Sequence, residues 1–344
     1  MRATGRLPAI LAATTLVLIS GQAKAADVEA TKQDEAAANP WRGSAIAYDH
    51  TFTSLSLSKS AVPDYNPYYA HTLSLAPVWN FGSGFVAKGT FALEQELTTS
   101  DEYERAHEVV ASDVGLDLGY TGWQESQTGI TVAGSVRLTL PTSKKSAAEQ
   151  LYFNLSPGVT LTRKFDVLGG LVVAYQGRFG YNFRETATMQ YDGPRVVGTE
   201  GSEDSDRFED TGRPTAEWTV VHGPMVTLLI TEKLNATAFY SFSKARLYSL
   251  SDIRLEDLSP GTVLTGDPNE IIAEGDLGTR WRHLEWFGLQ AAYQLNDAVG
   301  VVAAVNTAAP QQRPNSEDYS RFFNRHTAFS LGVNVDVDAV SQLF

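Results

Sequence analysis

No cysteine occurs in the 344 residues. That excludes a disulfide framework, a cysteine-ligated metal centre, a thiol nucleophile and an N-terminal lipid-modified cysteine. Charge is also scarce: Asp, Glu, Lys and Arg make up 19% of the chain, against about 25% in an average soluble protein. Basic residues are the scarcer sign, with 27 Lys+Arg against 40 Asp+Glu and a formal net charge of −13. This balance argues against a nucleic-acid partner. The body has no long apolar run, and the mean hydropathy of −0.18 excludes a helical membrane protein. Aromatics are plentiful instead, with 6 Trp, 14 Tyr and 16 Phe.

The first segment reads as an address. Arg2 and Arg6 precede the apolar core Ala9 to Ile19, and Ala23-Lys24-Ala25 supplies a small-residue cleavage site. The core is too short for the roughly 20 residues of a spanning helix. Residues 1–25 are therefore expected to be a cleaved secretory signal peptide. Residues 26–41 lack a strand pattern and are expected to hang in the periplasm or to enter the body as a plug.

From residue 42 onward the hydrophobic period is two. Phe85, Ala87, Gly89, Phe91 and Leu93 alternate with Val86, Lys88, Thr90, Ala92 and Glu94. Val114, Leu116, Leu118 and Tyr120 alternate with Asp113, Gly115, Asp117 and Gly119. Ile130 to Leu140, Leu151 to Thr162 and Phe329 to Val337 repeat the pattern. Twelve such segments lie near 43–60, 70–80, 84–99, 109–121, 127–140, 150–163, 169–190, 217–230, 234–248, 280–295, 298–308 and 323–338. A change of apolar phase between Tyr48 and Leu57 suggests a bulge in the first. Most segments exceed the five or six residues typical of soluble strands, and about nine to eleven tilted residues cross a bilayer.

The connections alternate as well. Phe81-Gly82-Ser83, Thr231 to Lys233 and Asn296-Asp297 are short, whereas Tyr191 to Ala216, Ser249 to Thr279 and Ala309 to Phe322 are long. Short turns on one side and long loops on the other are the pattern of a transmembrane antiparallel β-barrel of about twelve strands, with periplasmic turns and extracellular loops. Lipid offers no hydrogen-bond partner, so such a sheet must close on itself. Its partners are then outer-membrane lipid on the outside and a small solute within. No cofactor is implied.

With the apolar phase outward, the inward set contains Lys88, Glu94, Glu96, Asp113, Asp117, Arg137, Gln176, Arg178, Arg184, Arg282, Gln290, Asn334 and Asp336. Arg137, Arg178 and Arg184 suggest a basic stripe; Glu94, Glu96, Asp113 and Asp117 suggest an acidic one. Such charges either lock the barrel internally or select a solute. Twelve strands fall between a filled small barrel and a wide porin, so a narrow path is expected. Trp41, Tyr68, Tyr69, Trp79, Trp123, Trp218, Tyr240, Phe242, Trp281, Trp286 and Phe287 fall near strand ends and read as interfacial girdles. The six histidines form no recognisable catalytic motif, and the Gly-x-Ser-x-Gly, Walker and His-Glu-x-x-His patterns are absent. The expectation is a non-enzyme. A structural or surface-interaction barrel with a plugged lumen is the competing reading, and an outer-membrane hydrolase the third.

The long alternating strands and the terminal Phe344 resemble bacterial outer-membrane β-barrel channel proteins. That resemblance implies insertion by the barrel assembly machinery, which reads a terminal aromatic. Ser135 to Ser143 (SVRLTLPTS), followed by Leu155-Ser156-Pro157-Gly158, faintly resembles the transporters associated with meta-pathway phenol degradation. That similarity implies passage of aromatic or other hydrophobic small molecules. In that family a strand commonly ends in Pro-Thr-Gly; here Ser143 stands in place of the glycine.

Overall fold

The structure is a computed structural model describing residues 39–54, 68–98, 107–191, 209–250, 253–254, 271–273, 280–310 and 319–342. One antiparallel sheet contains fourteen hydrogen-bonded segments. They make twelve staves, because two staves are each interrupted once. The first six are β1 (Ala45–Thr53), β2 (Tyr69–Ala76 continued by Val78–Gly82), β3 (Phe85–Glu96), β4 (Val109–Ala111 continued by Val114–Gln124), β5 (Thr131–Leu140) and β6 (Leu151–Phe165). The rest are β7 (Leu171–Arg184), β8 (Ala216–Leu229), β9 (Leu234–Leu247), β10 (Trp281–Gln294), β11 (Val299–Pro310) and β12 (Thr327–Asp336). Each pairs with the next, and β1 also pairs with β12, so the sheet is closed. Closure satisfies every ladder group without water and leaves no free edge. Among the described residues no helix is long and apolar enough to cross a membrane.

The interruptions have local causes. Pro77 brings no N–H to the β2 ladder, and its carbonyl accepts from Gly89 N at 2.8 Å. In β4 the Ser112 hydroxyl replaces a ladder acceptor, receiving Ala92 N at 2.8 Å. Among the described residues of the first strand the expected bulge is not there: from Ala45 to Thr53, β1 keeps one register against β2 and β12. Its phase is blurred because His50 occupies an outward position between Tyr48 and Phe52. Register shifts fall instead at Asn80/Gly82, Tyr120/Trp123, Leu151/Phe153 and Ala216/Trp218.

The short turns are closed by their own side chains, as Asx and Ser/Thr turns are. Asn296 Oδ1 receives the N–H groups of Ala298 and Val299 at 3.0 and 2.9 Å. Thr231 Oγ1 receives those of Lys233 and Leu234 at 3.2 and 3.0 Å. Glu125 receives Gln127 N at 2.8 Å and Thr128 N at 2.6 Å. At Gly82-Ser83-Gly84 all three φ values are positive (79°, 50° and 81°), which explains the paired glycines.

Two short helices were not anticipated. The β5–β6 loop contains α1 (Lys144–Ala148), capped by Ser143. The last strand stops at Asp336, whose carboxylate caps α2 (Val337–Ser341). Two hairpins of short strands (188–191 with 209–214, and 253–254 with 271–273) stand outside the barrel sheet. The expected signal peptide, most of residues 26–41, most of the two acidic loops and Phe344 lie outside the described residues.

Candidate lumen and its charged walls

Alternation sorts the staves into two faces. Leu116, Leu118, Val136, Val159, Leu289, Leu331 and Val333 are large, apolar and exposed. They form the outward face, where exposure is to lipid. The opposite phase holds Asp49, Thr72, Ser74, Thr90, Glu94, Glu96, Ser156, Gln290 and Ser330, all buried. Trp41, Trp79, Trp123, Phe242 and Trp281 are exposed, as girdle residues should be. Two of the expected girdle residues face the other way. Tyr68 is buried and donates its hydroxyl to Glu94. Trp286 shares the inward phase of Gly288 and Gln290.

The wall of β3 to β7 carries a compact ion cluster. Asp117 on β4 lies opposite Lys88 of β3 and Arg137 of β5. Its Oδ1 is 3.2 Å from Arg178 Nη2, and its Oδ2 is 3.6 Å from Arg137 Nη1. Arg178 also donates to Ser156 O at 3.0 Å and Ser135 Oγ at 3.1 Å. Arg137 donates to Thr90 Oγ1 at 2.8 Å. Gly115 makes this possible, because a Cβ there would overlap the Arg137 guanidinium and the Thr90 hydroxyl. Three cations against one carboxylate leave this cluster positive. Arg178 keeps 35% side-chain exposure and Arg137 17%, so Arg178 is the more accessible of the two arginines. Gln176, one inward step along β7, is half-buried.

The remaining expected charges separate into other tasks. Asp113 receives Ser143 N at 2.9 Å and Ser146 Oγ at 2.5 Å, so it anchors α1. Arg184 reaches Glu149, the residue after α1, at 2.6 Å, with only 6% side-chain exposure. These two residues pin the loop helix across β4 and β7 at the long-loop end. Asp336 caps α2 at the opposite end. Arg282 is exposed near the β10 start, apart from the cluster. The basic and acidic stripes are thus redrawn: Asp117 belongs with the arginines, while Asp113 and Arg184 hold α1.

The acidic wall lies on β1 and β3. Asp49, Glu94 and Glu96 are 5%, 5% and 1% exposed. Asp49 was missed in the sequence because it sits in the least regular strand. Its carboxylate lies over Gly332 of β12, where a Cβ would overlap it. In a closed ring of twelve staves, β1 stands opposite β7. The covered acid Asp49 and the more accessible cation Arg178 therefore occupy opposing walls.

The third part of the lumen is apolar. Ala174 and Met225 are buried together with Phe239 packed against them. Val302 and Ala304 are buried with Ala292 packed against them. The Phe239 ring lies over Gly288, where any side chain would overlap it. Phe239 was also missed, since an aromatic in an outer-membrane strand reads first as a girdle residue.

No family model and no curated protein matches the chain. Solved structures do. The COG4313 outer membrane channel from Pseudomonas putida F1 superposes with a TM-score of 0.50 at 10% identity, over 85% of this chain and 93% of that one. This protein has the fold of an outer-membrane β-barrel. The NanC porin (TM-score 0.42, 12% identity, 85% of this chain and 100% of that one) and the KdgM porin with disordered oligogalacturonate (0.41, 10%, 85% and 98%) are more distant.

Proposed function

We propose that the barrel is a passive outer-membrane channel for a small solute carrying a charged group on an apolar, including aromatic, body. The observation that carries this reading is the Arg137–Asp117–Arg178 cluster, facing the covered acid Asp49 on β1 and flanked by the apolar wall around Phe239. Opposed charges across a narrow lumen orient a dipole, and the uncovered cation attracts the negative end. The apolar wall accepts the rest of the solute without stripping polar groups of water. The likeness to a solved outer membrane channel supports the reading at the level of the fold.

A structural barrel would use the same ion pairs only as an internal lock. The partial exposure of Arg178 favours the channel reading over that one. Catalysis finds little support in the histidines. His50, His71 and His222 lie on the outward phase and bond to Tyr69, Tyr48 and Tyr175, not to a serine or threonine hydroxyl. The test is uptake by proteoliposomes of benzoate, of uncharged benzyl alcohol and of glucose. The protein-dependent part of the uptake, taken against empty liposomes, should be greatest for benzoate. Equal, protein-independent leakage of all three would refute it.

A further inference from the structure

The outward face of β10 differs from the other staves. Its outward column runs Trp281, His283, Glu285, Phe287 and Leu289. Lys244 of β9 stands opposite His283, and its ammonium lies 4.2 Å from the centre of the Trp281 ring. Among the described residues Lys244 forms no ion pair. The segment 319–326 rests against this face of the barrel. Arg321 Nε meets Glu285 at 3.0 Å, and Tyr240 donates to the same carboxylate. Phe322 meets Phe287 edge-on at 5.0 Å. Phe322 and its neighbour Phe323 are 62% and 59% exposed.

Lys244 and the Arg321–Glu285 pair thus stand along the upper part of the column, between the Trp281 ring at its loop end and the Phe287 and Phe322 rings below. A chain with a net charge of −13 should be repelled by anionic headgroups. On this face Lys244 supplies the opposite sign locally, while Arg321 shares its charge with Glu285. Exposed aromatics beside Lys and Arg are the combination that binds an acyl chain and a phosphate together. We infer that the outward face of β10 and segment 319–326 form a docking site for a phosphorylated glycolipid of the outer leaflet. Its phosphate sits at Lys244, His283 and Arg321, and its acyl chain lies along Phe287, Phe322 and Phe323. An ordinary interfacial belt would hold lipid without regard to phosphate, which gives the test its contrast.

The full chain is refolded into neutral detergent, its folding checked by heat-modifiable migration. It is then titrated separately with diphosphorylated lipid A, the dephosphorylated lipid and inorganic phosphate, and bound species are counted by native mass spectrometry. The diphosphorylated lipid should be retained selectively. The Lys244→Gln/His283→Gln double variant should retain it about tenfold more weakly, as loss of charge-assisted hydrogen bonds implies. Phe322→Ser, made apart from the cations, should weaken retention of either lipid. Equal retention of the dephosphorylated lipid overturns the assignment, as does an unchanged affinity in the folded double variant. Equal capture of inorganic phosphate also overturns it, by making the ligand a soluble anion.

Discussion

Asp117 holds two arginines from two different strands, Arg178 on one carboxylate oxygen at 3.2 Å and Arg137 on the other at 3.6 Å. Neutralising that carboxylate leaves both guanidinium groups facing the lumen without their counter-charge. Asp117→Asn should therefore shift ion selectivity toward anions and destabilise the barrel by about 1–3 kcal/mol, the usual cost of a partly buried unpaired group. Zero-current potentials and urea midpoints of the refolded variant check both effects.

The space over Gly115 is filled by Arg137 and Thr90. Gly115→Val should push the guanidinium off Thr90 and cost roughly 1–3 kcal/mol through overpacking. Its urea midpoint should fall below that of Gly134→Val, because nothing lies within 4 Å of a Cβ at Gly134.

Phe239 fills part of the lumen beside Ala174 and Met225. Phe239→Ala should widen the path. Single-channel conductance should rise, and the advantage of benzoate over acetate in uptake should shrink as the apolar contact is lost.

The salt bridge from Arg184 to Glu149 ties down the end of α1. Arg184→Gln should free the loop helix, which would appear as faster current fluctuations without a change in reversal potential. A shift of reversal potential instead would assign Arg184 to the conducting wall.

Glu125 lies in a solvent-exposed turn outside the spanning strands. Hydrogen bonds from the Thr128 hydroxyl, then from the Gln127 and Thr128 N–H groups, hold its carboxyl below the usual range. A carboxyl lowered on folding contributes stability above its unfolded value of 4.5, and loses it as pH falls through the lower folded value. Thr128→Ala should raise the titration midpoint of Glu125 toward 4.5, read by NMR.

The barrel was legible because lipid enforces a strict two-residue period on long strands such as β3 and β6. Loop alternation gave the orientation. The inward phase was legible residue by residue but not as an assembly. Lys88, Arg137 and Arg178 could be placed inward from parity alone, yet the meeting of the two arginines at Asp117, opposite Lys88, depends on register between strands, which parity does not contain. Asp49 escaped because His50 sits outward beside it and blurs the phase. Phe239 escaped because an inward aromatic breaks the apolar-outward rule, and only the missing side chain at Gly288 makes room for it. The helix α1 escaped because Ser143 and Ala147-Ala148 are too few residues to give a helical period.

The central claim is that Arg178 is the cation a permeating solute meets. The direct measurement is the zero-current potential of single channels across a planar bilayer with a salt gradient, for the parent protein and for Arg178→Gln. The account predicts discrete, anion-preferring currents in the parent and a clear loss of that preference in the variant. Folded, inserted parent protein that carries no current, or a variant with the same reversal potential, would contradict it.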